Sequence, residues 1–87
     1  MLEKYVSRIY PACGEETDFV IILNYDVREE AINKILEKCQ IQRTIASVLT
    51  TCRYKDKEIS VSKTGKVIIK EARGRENAEK IMRELLK

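Results

Sequence analysis

The chain has no histidine and no tryptophan, one phenylalanine, one proline, three glycines and three cysteines. Without histidine there is no Ser-His or Cys-His nucleophile pair. The side chain that ordinarily shuttles protons near neutral pH is missing as well. A tetrahedral zinc site would need thiolates with carboxylate help. Cys13, Cys39 and Cys52 contain no Cys-x-x-Cys pair, and their odd number does not suit a secreted disulfide scaffold. We therefore expect no metal, no cofactor and no enzyme activity. The longest apolar run, Phe19-Val20-Ile21-Ile22-Leu23, falls well below the roughly 20 residues of a membrane span. Met1-Leu2-Glu3-Lys4 lacks the basic-then-apolar order of a secretory leader, so the expected location is cytoplasmic, with no membrane contact.

What is present is a globular composition: 87 residues, 44% apolar and 36% charged, of a length that suits one domain over residues 1–87. Charge is unevenly spread. Residues 1–40 hold five basic and eight acidic side chains, whereas 41–87 hold twelve and six, which points to an anionic partner for the second half.

Hydrophobic periodicity predicts the elements. Residues 1–10 suit a helix or a strand equally, and Pro11 ends either. Asp18 to Tyr25 predicts a central strand. Asp26 then reads as a helix N-cap, with Glu29 completing a capping box. A helix is expected over 27–39, with Ala31, Ile32, Ile35, Leu36 and Cys39 on one stripe and Glu30–Lys34 as a pair on the wet face. Residues 44–54 predict a second strand, 58–63 a third and 66–71 a fourth. The charged turn Arg53 to Glu58 and a hairpin at Lys63-Thr64-Gly65-Lys66 join them, Gly65 supplying an unusual backbone angle. A closing helix over 75–86 buries Ala78, Ile81, Met82, Leu85 and Leu86. The result is an α+β fold: an antiparallel sheet of four to five strands with two helices packed on one face. Ile59, Val61, Val67 and Ile69 face those helices. Ser60, Ser62, Ile68 and Lys70 form a mixed opposite face, solvated or available for docking.

The strand–helix–strand–strand–strand–helix order over 18–87, and the stretch Glu58 to Ala72 with its Thr64-Gly65-Lys66 hairpin, resembles a single repeat of the TATA-box-binding protein fold. Small archaeal proteins carry such single repeats. In that family two repeats form a saddle whose concave sheet opens the DNA minor groove with apolar wedges. The wedge position corresponds here to Ser62 and a groove-facing apolar position to Ser60, while Ile68 and Lys70 match concave-face positions. A single repeat would have to pair to make a saddle.

Other motifs carry less. Cys13 reads as a loop thiol with no base or cation pattern beside it, and Cys39 and Cys52 read as core. Glu15, Glu16 and Asp18 form an acidic turn without the spacing of a calcium loop. Lys63-Thr64-Gly65-Lys66 lacks the upstream glycine and the following helix of a phosphate loop. Between residues 53 and 75 eight basic side chains face three acids. The candidate contact set is Arg53, Tyr54, Lys55, Lys63, Lys66, Ile68, Lys70, Arg73 and Arg75, with Lys57 among the surrounding charge. Tyr54 would serve as a stacking ring. The expected function is a non-enzymatic binding domain that contacts nucleic acid through the basic hairpin and mixed sheet face. Such a domain would act as a homodimer or within a larger assembly; the alternative is a protein-interaction or structural subunit of a larger assembly with no nucleic-acid role.

Overall fold

Six short segments build one antiparallel sheet around the continuous apolar run of residues 19–23. The computed structural model describes residues 2–12, 17–45 and 48–86. A single helical turn, α1 (Leu2–Tyr5), leads into β1 (Val6–Pro11) and then β2 (Phe19–Leu23). A 3-10 turn (Tyr25–Val27) opens α2 (Arg28–Lys38). The chain continues as β3 (Gln40–Ile45), β4 (Leu49–Tyr54), β5 (Lys57–Ser62), β6 (Lys66–Ile69) and α3 (Arg75–Leu85). The sheet order is β1-β2-β6-β5-β4-β3. Only the β2–β6 contact joins strands distant in sequence, and it closes the sheet around its centre.

Cross-strand register sets the core. One row on the inner face runs Phe19–Ile69–Ile59–Cys52, and the next runs Ile9–Ile21–Val67–Val61. All eight side chains are buried with Ala31 and Ile35 of α2 and Ala78, Ile81, Met82 and Leu85 of α3. Both helices therefore pack on one side, as their stripes predict. Burying an Ile or Phe side chain contributes about 1.5–3 kcal/mol, so these rows supply much of the driving force.

Three expectations are corrected and one ambiguity is resolved. The sheet has six strands, not four to five. The ambiguous N-terminal segment resolves into α1 followed by the edge strand β1. The predicted strand over 44–54 is two antiparallel strands, with the chain reversing between Ile45 and Val48. β3 escaped prediction because an edge strand needs no buried face: all six of its residues are exposed. Ala46-Ser47 also offers no Gly, Pro, Asn or Asp to mark the reversal. Finally, Asp26 does not cap α2. The N-cap position is Val27, without a side-chain bond. Tertiary contacts fix this corner instead. The Asn24 backbone N–H donates to Tyr5 O at 2.7 Å, and its side chain donates to Lys4 O at 2.9 Å.

Gly65 adopts φ +99 in the β5–β6 hairpin, and its carbonyl accepts from the Leu23 N–H at 2.8 Å. A Cβ here would meet Arg28 only at 3.6 Å, an ordinary contact, so the cost of a side chain is conformational. Gly65→Ala is expected to lower unfolding free energy by about 1–2 kcal/mol in urea titrations. An unchanged midpoint would contradict this assignment.

Candidate functional site

The face without helices is built by the residues that alternate with the core rows. Its central row crosses all six strands as Tyr10–Val20–Ile68–Ser60–Thr51–Arg43. Ile22 pairs with both Arg8 and Lys66 on one side of that row, continued on the far strands by Ser62–Leu49–Ile45. On the other side Arg53 stands opposite Glu58, and Lys70 binds Glu58 at 3.0 Å. Val20 is only 5% exposed although it lies outside the helix-side cluster, whereas Tyr10 at the row's end is 41% exposed. The centre of this face is thus apolar and hydroxyl-bearing, with charge at its borders.

Charge divides sharply between the two layers. α2 and α3 each hold three basic and three acidic residues and are neutral. In the strands Lys57 and Glu58 balance, which leaves Arg8, Arg43, Arg53 and Lys66 in excess. By register all four belong to the helix-free face, and none forms an ion pair among the described residues, although Arg53 stands opposite Glu58, which Lys70 holds.

The sequence-nominated set is split by the fold. Arg53, Lys66, Ile68 and Lys70 come together on the open face. Lys63 sits on the hairpin beside Arg28 and Glu29, toward α2. Arg75 begins α3 and shares with Arg8 a hollow along the outer edge of β1. Tyr54, Lys55, Lys57 and Arg73 lie on the helix side. Lys55, Lys57 and Arg73 there border a hollow of about 290 Å³ together with Lys80 and Glu84. Tyr54 donates its hydroxyl proton to Glu84 Oε1 at 2.8 Å, and Lys55 Nζ meets the same oxygen at 2.7 Å. The ring is half-buried against the core, so its stacking role is not available on the open face. The two-residue Lys55-Asp56 turn, with both φ values positive, makes this arrangement.

Arg8, Arg43 and Tyr10 were not nominated from the sequence. Their one signal lies in Phe19 to Leu23: a strand apolar on both faces, in a sheet with helices on one, implies an apolar patch on the other. Of the acidic turn, Asp18 accepts the Glu71 N–H at 2.9 Å, while Cys13, Glu15 and Glu16 lie outside the described residues. Cys39 and Cys52 are both buried free thiols, as expected. A shared hydrogen bond and burial push the Cys39 thiol far above its ordinary range.

Comparison with protein-family models, with curated proteins and with solved structures gives no match to this chain.

The Tyr54–Lys55–Glu84 cluster makes a pH prediction. Hydrogen bonds from Lys55 and then Tyr54 hold the Glu84 carboxyl below its ordinary 4.5. Because that value is depressed in the folded state, its stabilisation is present above 4.5 and is lost as pH falls through the folded value. Glu84→Gln is expected to flatten the acid limb of stability against pH. A limb identical to that of the unaltered protein would sink the assignment.

Proposed function

We propose that the protein is a non-enzymatic nucleic-acid-binding domain that uses the helix-free sheet face. The observation that carries this is the charge division: α2 and α3 are neutral, while the strands carry an excess of four cations on one face, with Glu58 beside Arg53 as the acid among them. Polyanions are bound chiefly by such cations, which release condensed counterions as they neutralise phosphates. Ser62, at the wedge position of the TATA-box-binding resemblance, is half-buried and shares a 2.9 Å hydrogen bond with Thr64. Kinking a duplex by insertion there is accordingly not part of the reading.

Fluorescence anisotropy against mixed DNA and RNA oligonucleotides tests it. Affinity should fall as salt rises. Arg43→Ala, Arg53→Ala and Lys66→Ala should each lower the log–log salt slope by about 0.7–0.9. No binding at micromolar protein and low salt, or slopes untouched by all three changes, would dismiss the proposal.

A second reading, pairing with another copy of the chain, is favoured by the edge strand β3, where Ile41 and Ile45 are 54% and 46% exposed. Unpaired edge backbone with apolar side chains is a template for strand addition. The expected outcome under this reading is a dimer in light scattering that Ile41→Lys dissociates. A monomer at all concentrations removes it.

A further inference from the structure

The layout of the open face also bears on the form of nucleic acid it takes. Resting on the reading above, we infer that the ligand is single-stranded, with its bases on the central row and its phosphates at the borders. Along β6 and one residue past its end the order is Lys66, Ile68, Lys70, and along β4 it is Leu49, Thr51, Arg53. The central row is therefore flanked by Lys66 on one side and Arg53 on the other. Arg43 closes one end, and Arg8 stands beside the other. Cations border an apolar and hydroxyl-bearing middle, with Glu58 beside Arg53 and bound to Lys70.

That pattern discriminates between the two forms. A duplex presents phosphates outermost, so its approach would press charged oxygens onto Val20, Ile22 and Ile68 and strip their water without replacing it. Reaching duplex bases from an apolar face takes large protruding side chains that part base steps. The middle of this face is low: Val20 is buried, Ile22, Ile68 and Ser60 are half-buried, and no aromatic ring stands there. A single strand reverses the geometry. Its unpaired bases offer apolar faces to the middle, and its phosphates turn outward to the cations. Tyr10, exposed at the end of the row, supplies one ring for stacking. Six strands at a spacing of about 4.8 Å give a track of about 24 Å, enough for a short oligonucleotide.

Single-stranded DNA, single-stranded RNA and a blunt DNA duplex, each of about ten nucleotides or base pairs, are titrated at equal low salt. The two single strands share the chemistry claimed, and their separate arms show which sugar is preferred. Either single strand is expected to bind at least tenfold more tightly than the duplex. Tyr10→Ala should weaken single-strand binding by about tenfold while leaving the salt slope unchanged, and Tyr10→Phe should retain it. The chain has no tryptophan and four tyrosines, so the tyrosine emission lost on adding the single strand should be larger than in Tyr10→Phe, the difference being the share of Tyr10. Equal or tighter duplex binding overturns the single-strand inference and leaves the functional reading standing, as does full affinity in a folded Tyr10→Ala. Failure of all three polymers to bind overturns the functional reading itself.

Discussion

The two inner rows, Phe19–Ile69–Ile59–Cys52 and Ile9–Ile21–Val67–Val61, meet the stripes of α2 and α3 in one apolar layer, and every other feature is placed by that contact. Burial fixes which side chains face the helices, and the period of two along a strand sends each neighbour the other way. Slipping β6 by one residue would put Lys66 and Ile68 under the helices and Val67 and Ile69 in water. The open face is thus a consequence of the core, with no freedom of its own.

The same contact explains why the charges divide. Helix positions away from the core alternate acid and base and cancel locally. Strand positions away from the core have no second helix layer to cover them, and they carry four cations: Arg8 and Lys66 flank Ile22, Arg43 stands opposite Thr51, and Arg53 lies between Gln40 and Glu58. Holding four like charges on one face costs some self-repulsion, which a polyanion relieves. The helix side differs in kind. Lys55 is bound to Glu84, and Lys57 donates to the Glu71 carbonyl at 2.8 Å, so the cations there serve the fold's own turns.

Legibility followed the strength of the local pattern. The β5–β6 hairpin and α3 were readable because Gly65 and the Ala78–Ile81–Met82–Leu85 stripe each have one plausible geometry. β3 was not, since Gln40 to Ile45 is wholly exposed and has no buried face to impose a period, and the reversal after it carries no Gly, Pro, Asn or Asp. The Asp26 cap failed because Asn24, held to Lys4 and Tyr5 from twenty residues away, shifts the helix start. Tyr54 was misplaced for a simpler reason: one step of alternation decides its face, and Cys52 in the core puts it on the helix side.

By itself the sequence determined the class of fold, the side of the sheet that the helices cover, the mixed character of Ser60, Ser62, Ile68 and Lys70, and the excess of positive charge. Those depend on spacing within a few residues, where helix and strand periods act. Only the tertiary structure decided that Arg8 and Arg43, from opposite edges, join Arg53 and Lys66 around one apolar row, while Tyr54, Lys55 and Arg73 do not. The pairing of β2 with β6 brings residues nearly fifty apart into register, and no local period carries that information.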